Sequence, residues 1–508
     1  MQRGPEGWED KTAGRTEPLW FADAGTPRFS RLGRDVTADV AIVGAGISGM
    51  TTGYLLARAG KKVAVIEDGD VASGETGRTT AHATCALDDR YYDIEKGHGR
   101  EGARLAAESH SAAIDLIESV ARREGIECDF ARVDGYLFLD PTDSEKSIHA
   151  ELAATRRAGL RTELADPPVS SLAGPCLRFP GQAHFQPLKY LAGLASAIVK
   201  NGGQIYTETH VQDVSSRGVK TADGHRVSAK KIVVATNAPI IDKISKIYDR
   251  QDAYRTYVIA ARVEKGAVPD VLYWDTGNHR SKNAVQPYHY VRLQKLDNYD
   301  LLVAGGEDHP TGDGGDADER YRNLEAWARE RFPIKEVEYR WSGQVLEPRD
   351  SMAFIGRNPR DKRRNIFIAT GDSGNGITHG TIAGIILTDL VLGKKNRWAK
   401  LYDPARRQKR KGRQPAGPGK KKEQEQDPAG LKPGEGMVVE GKKPAAYYMD
   451  ERGVLHKYSA LCMHLGCTVA WNESEKSFDC GCHGSRFSYA GRVVNGPAND
   501  DLDRADKG

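Results

Sequence analysis

The chain has 508 residues, 39 % of them hydrophobic, and a formal charge of +4. That is length for two to four domains with ordinary globular cores. No run approaches eighteen consecutive apolar residues, which excludes a bilayer-spanning helix, and so small a charge gives nucleic acid no overall electrostatic counterpart. The N-terminal stretch MQRGPEGWEDKTAGRTEPLW has no apolar run. Neither a signal peptide nor an anchor is expected, and the cytoplasm is the expected location.

Strand and helix signals alternate from about Asp35. DVAIVGAG is an apolar, β-branched run ending in glycine, the pattern of a buried parallel strand. ISGMTTGYLLARAG follows at helical spacing with Gly60 as its stop, and KKVAVIE is a second strand. Together they predict a βαβ unit and a parallel sheet. A helix is predicted over Glu101–Glu124, a strand of a second sheet at DGYLFLD, a helix at LKYLAGLASAIVKNGG and a buried strand at KKIVVATNAP. From Ala253 to Glu347, YVIAARV, VLYW, PYHYVRL and LLVAGGED predict mostly antiparallel strands. NIFIATG returns to the parallel signature and leads into the helix NGITHGTIAGIILTDLVLG. The basic run from Lys394 to Lys422 and its Pro/Gly-rich continuation bury too little apolar surface to fold alone, so a flexible linker is expected. The last eighty residues are strand-rich.

Gly44, Gly46 and Gly49 form G-x-G-x-x-G between the first strand and its helix. Glycines there permit a tight turn, close approach of backbone to a pyrophosphate, and close helix–strand packing; the helix N-terminus faces the phosphates. Glu67 closes the second strand, where a carboxylate accepts ribose hydroxyls. The motif alone does not choose between FAD and NAD. No second such motif appears, so reducing equivalents are expected from an organic substrate.

Four of the seven cysteines lie in CMHLGCTVAWNESEKSFDCGCHGS. Cys462-x-His464 and Cys480-x-x-His483 can form two short loops meeting at a metal. By ligand type alone, the set suits structural zinc or a Rieske [2Fe–2S] centre, with two cysteines on one iron and two histidines on the other.

Resemblances narrow these alternatives. SGETGRTTAH, IVVATNAP and IFIATGDSGNGITHGTIAG resemble, in order, segments of the D-amino-acid-oxidase-like (DAO) FAD-dependent oxidoreductases. The resemblance implies FAD, with Thr79, Thr80 and His82 near the flavin, the Val211 backbone near adenine, and Gly376–Ile377–Thr378 presenting a helix N-terminus to the flavin. CMHLGC and CGCHGS resemble the two cluster-binding boxes of Rieske proteins. That implies a [2Fe–2S] cluster on Cys462, His464, Cys480 and His483, a Cys467–Cys482 disulfide, a hydrogen bond from Ser485 to the cluster, and NGPA as the loop covering it. Gly481 replaces the usual proline of the second box, and Phe487 replaces a tyrosine; the lost hydroxyl implies an intermediate potential.

The implied fold is α/β plus all-β: a Rossmann-like FAD domain, a mixed, largely antiparallel substrate domain, and a small all-β Rieske domain. Expected boundaries are an N-terminal extension to 34; the FAD domain at 35–85, 165–245 and 348–402; the substrate domain at 86–164 and 246–347; a linker at 403–430; and the Rieske domain at 431–508. The expected activity is oxidation of a small amine or amino acid by FAD, with electrons passing through the cluster to an external acceptor, a protein or quinone-like molecule. The alternatives are a non-catalytic electron carrier and an oxygen-using oxidase with a structural cluster. A Rieske oxygenase would need a further iron site, and the fourteen histidines include no H-x₃₋₅-H pair. Arg349, Arg292 and His289 are candidate catalytic residues; Tyr288 and His379 are further candidates for the pocket.

Overall fold

The computed structural model describes residues 13–172, 174–241, 245–281, 287–313, 315–408 and 427–505. The apolar run before Gly44 forms the strand Val36–Val43. It is flanked in parallel by Val63–Ile66 and Arg226–Val234, with Val43 opposite Ile66 and Val234. The eight-stranded sheet continues outward to Ile366–Thr370 and Phe354–Arg357 on one side and Gln204–Tyr206 on the other. Val63–Ile66 and Ile366–Thr370 are buried throughout, as are the last four residues of Val36–Val43 and the last three of Arg226–Val234, so the sheet's central part shows no polar alternation. Helix Ile47–Arg58 packs between helices Pro187–Lys200 and Gly376–Val391 over one face.

The second sheet has nine strands, with Val337–Pro348 at one edge and Gln251–Val263 next to it, paired on its other side with Asp300–Pro310. Cys176–His184 belongs here. The expected FAD-domain stretch 165–245 included it, but it pairs with Ala131–Phe138, as does no strand of the parallel sheet. Its burial pattern is irregular, so periodicity did not reveal its partner. The helix expected from Glu101 begins at Tyr91 and bends at Gly99, whose φ is 75°. Tyr91 and Ile94 are buried, so tertiary packing extends the helix beyond its periodic part.

The C-terminal module consists of a three-stranded and a four-stranded antiparallel sheet around Tyr448, Phe478 and Phe487. It is docked on the rest of the chain. Glu475, fully buried, pairs with Arg78 at 2.8 Å and Arg255 at 3.4 Å. It also accepts from the Thr16 N–H at 3.0 Å and from the Ser342 hydroxyl. Arg486 donates to Asp479 at 3.1 Å and to the Ala13 carbonyl. Part of the N-terminal extension is thus threaded between the module and the sheets. The expected linker is partly fixed: Arg406 pairs with Asp350 at 2.8 Å, and the Gln408 amide donates to the Arg250 carbonyl at 3.1 Å. Residues 409–426 lie outside the described residues. Among the described residues, no helix is long and apolar enough to cross a membrane.

Candidate functional site

A cavity of about 300 Å³ opens at the carboxyl ends of the parallel strands. Gly44 and Gly46 line it, Gly44 at φ +104°. Gly49 lies in the first turn of the following helix, where a Cβ would fall 1.9 Å from the Gly44 carbonyl oxygen. Glu67 lines the cavity and accepts from the N–H groups of Ala45 and, at 3.0 Å, Asp68. Burial raises its carboxyl to about 7 against these hydrogen bonds. Val211 lines the same end.

Helix Gly376–Val391 starts at the cavity wall with Gly376 and Ile377, bringing the unpaired N–H groups and positive dipole end of its first turn there. Thr378 is turned away, its hydroxyl 2.8 Å from His110 Nδ1. His379 lines the cavity, and its Nδ1–H donates to the Asp372 carbonyl at 2.7 Å. Thr79, Thr80 and His82 line the opposite wall. His82 Nε2–H donates to the Val291 carbonyl at 3.3 Å, leaving Nδ1 to accept from Thr80 Oγ1 at 3.0 Å. Burial lowers His82 to about 3, so the imidazole is neutral.

The three candidate catalytic residues stand outside the cavity lining. Arg349 pairs with Asp252 at 3.6 Å. Arg292 is fully buried; it donates to the carbonyls of Phe185 and Leu293, both at 3.0 Å, and its guanidinium sits 5.2 Å from the Trp20 ring centroid. Its hydrogen bonds are spent on the protein itself, and the Trp20 ring packs against it. His289 donates to Asp275 at 2.8 Å and Glu307 at 3.2 Å and stacks on Trp327 at 4.1 Å. Burial opposes its charge, but the two carboxylates outweigh it and raise it to about 9. The stabilisation is therefore complete below about 6.5 and is lost as pH rises through 9. Chemical denaturation across that window should show roughly 3 kcal/mol of pH-dependent loss in the wild type. His289→Gln should remove that slope and leave FAD content intact; an unchanged slope would refute this structural role.

Alternation along the strand explains the misplacement. Tyr288 and Tyr290 line the cavity, whereas His289 between them points to the other face. The sequence reading missed Tyr290, Trp274, Asp88, Asp308 and Gln344. Period two over PYHY was the available signal for Tyr290. For Asp308 it was the glycine pair in GGED: Gly306 at φ +154° and Glu307 at φ +59° break the register opposite Arg255–Tyr257 and turn Asp308 inward.

At the C-terminal end, the Cys462 and Cys480 thiols hydrogen-bond to each other, an interaction that lowers Cys462 and raises Cys480. The His464 and His483 rings lie 5.0 Å apart, and Tyr248 meets both edge-on at 4.8 and 4.7 Å. Cys467 and Cys482 are joined as a disulfide between the two loops. Ser485 Oγ accepts from the Ala498 N–H at 2.9 Å, fastening the NGPA loop over the second box. That loop also forms part of the cavity wall: Asn495, Gly496 and Ala498 line it.

A parallel sheet with a glycine cradle, a second, mixed and mostly antiparallel sheet and a module with paired thiols and imidazoles define a flavin-dependent oxidoreductase carrying an iron–sulfur domain. The chain belongs to the FAD-dependent oxidoreductase (DAO) family, which matches residues 39–390, and carries a C-terminal Rieske [2Fe–2S] domain matched over 426–505. It is similar to the protein YhfW of Bacillus subtilis (strain 168), with 32 % identity over 507 residues, 96 % of this chain and 97 % of YhfW. It is 28 % identical to gamma-glutamylputrescine oxidoreductase of Escherichia coli (strain K12), covering 73 % of this chain and 87 % of that enzyme. In fold it resembles glycine oxidase from Geobacillus kaustophilus, with a TM-score of 0.60 and 21 % identity over 73 % of this chain and 99 % of that one.

FAD and a [2Fe–2S] cluster are therefore its cofactors. The donor sets fit both groups. A cradle that side chains would fill meets a helix N-terminus and a buried carboxylate, and two thiols converge beside two imidazoles.

Proposed function

We propose that this enzyme oxidises a C–H bond next to nitrogen in a small amine or amino acid and delivers the electrons through its own Rieske domain to an external acceptor, a protein or quinone-like molecule. FAD supplies two-electron oxidation, and the [2Fe–2S] cluster takes electrons singly. Gly44, Gly46 and Gly49 admit the pyrophosphate, Glu67 holds the ribose, and Gly376–Thr378 aim a positive helix end at the flavin. Neutral His82 and the Thr79–Thr80 segment shape the flavin wall. Cys462, His464, Cys480 and His483 hold the cluster.

One observation carries this reading. Gln344 lines the FAD cavity, and its amide donates at 2.8 Å to the carbonyl of Gly484, the residue after His483. A single side chain separates the cavity from a cluster box. A module docked in this way would need no swing to reach the flavin.

The test is an anaerobic panel of amines and amino acids, following flavin bleaching and the Rieske electron paramagnetic resonance signal together. A substrate should bleach the flavin, and the cluster signal should rise with or after it. Protein stripped of FAD should show no such rise. A cluster that stays oxidised beside fully bleached flavin would overturn the internal route.

A further inference from the structure

We propose that the aromatic end of the cavity binds the ammonium group of an amine bearing no carboxylate next to that nitrogen, with Asp308 as the counter-ion. This rests on the reading that a nitrogen-bearing substrate is oxidised here.

Asp308 is 1 % exposed and lines the cavity, yet neither carboxylate oxygen has a hydrogen-bond partner. Of the hydroxyls around it, that of Thr256 draws its titration down but is shared with Tyr290. Thr256 Oγ1 bonds the Tyr290 hydroxyl at 2.7 Å, and the Tyr288 hydroxyl donates to Asp88 at 2.6 Å. Leaving a buried carboxylate unpartnered costs free energy, which an arriving cation recovers. Burial raises Asp308 to about 7, and an ammonium alongside would draw the proton off.

The walls suit the same ligand. Trp274, Tyr288 and Tyr290 line this end, the two tyrosine rings 5.6 Å apart. Aromatic faces are electron-rich and attract a desolvated ammonium.

Among the described residues, a carboxylate has no matching site. Among the described lining residues, the only arginines or lysines are Arg78 and Arg492. Arg78 is taken up by Glu475 at 2.8 Å and the Thr16 carbonyl at 2.9 Å. Arg492 enters from the Rieske domain, whose neighbouring residues cover the opposite side: Asn495 donates to Glu75, and Asn499 to the Val211 carbonyl. Arg292 is spent on backbone carbonyls. A carboxylate beside the reacting nitrogen would instead face Asp88 and Asp308, and like charges in so buried a site repel strongly.

The test compares isosteric probes on the FAD- and cluster-loaded enzyme. Tert-butylamine, a cation with no hydrogen on its α carbon, should perturb the flavin spectrum saturably. Pivalate, its anionic counterpart, should bind at least tenfold more weakly. Asp308→Asn should weaken tert-butylamine at least tenfold with FAD content and the cluster signal unchanged. Anaerobically, n-butylamine should bleach the flavin faster than either enantiomer of norvaline, its α-carboxylated counterpart. Pivalate binding as well as tert-butylamine, or tert-butylamine binding indifferent to Asp308→Asn, would overturn the proposal; if that variant does not fold, the wild-type probe pair decides. Bleaching by norvaline but not n-butylamine would sink this proposal and leave the oxidoreductase reading standing. Asp308-dependent binding of tert-butylamine without bleaching by any amine would support the ammonium site and sink the redox reading.

Discussion

Glu475→Ala should loosen the Rieske domain from the flavin cavity and cost about 3–5 kcal/mol, the range for removing one partner of a buried ion pair. The carboxylate is fully buried among Arg78, Arg255, Thr16 and Ser342. Without it, two guanidinium groups stay in the interior. Arg255 is the worse placed, because its Nε and Nη1 already have no hydrogen-bond partner. Glu475→Gln keeps the shape and hydroxyl contacts but loses the charge, so it should fall between. Calorimetry should show a lower first transition, and stopped-flow reduction should show the cluster lagging the flavin at least tenfold more than in the wild type. Wild-type values in both measurements would remove the ion cluster from the account of docking.

The same residue sets an acid limit. Burial alone would raise its carboxyl, but Arg78 and Arg255 outweigh burial and hold it at about 2, against an ordinary 4.5. Its contribution is therefore complete above 4.5 and is lost as pH falls from there through 2. The wild-type first transition should drop across that window, and the transition of Glu475→Ala should be flat in it.

What the sequence revealed and what it hid divide by range. The glycine cradle and the two cluster boxes are local: each needs a few residues at fixed spacing, so order along the chain carries the geometry. The docking ion cluster joins Arg78 to Glu475 across 397 positions, and no local pattern marks either residue as buried. Arg292 and His289 looked catalytic because their chemistry suits catalysis. The structure spends them on carbonyls, carboxylates and an indole ring. Asp308 was passed over for the opposite reason. An acid after two glycines resembles a solvated turn, and only the broken register of two long strands turns it inward.

Gly49→Ala should yield a folded protein with less than a tenth of the wild-type FAD. The added Cβ would lie 1.9 Å from the Gly44 carbonyl oxygen and 3.0 Å from its carbon. Both are backbone atoms of the glycine turn, so no rotamer relieves the clash. Either the turn opens or the helix N-terminus retreats, and each moves the N–H groups proposed to receive the phosphates. Overpacking costs about 1–3 kcal/mol, which predicts FAD binding about 5- to 150-fold weaker. Gly53→Ala, one turn further along the same helix, is the control. Its nearest atoms are the methyl groups Ile198 Cδ1 and Val65 Cγ2, both 3.3 Å away, which can yield by tenths of an ångström. Alanine is also favoured over glycine within a helix by about 1 kcal/mol. Gly53→Ala should therefore keep its FAD and match or exceed wild-type stability. The cluster signal should persist in both variants, since the cluster's proposed ligands lie in the C-terminal module. Full FAD occupancy in Gly49→Ala would show that the turn tolerates a side chain and that the cradle does not depend on this close approach.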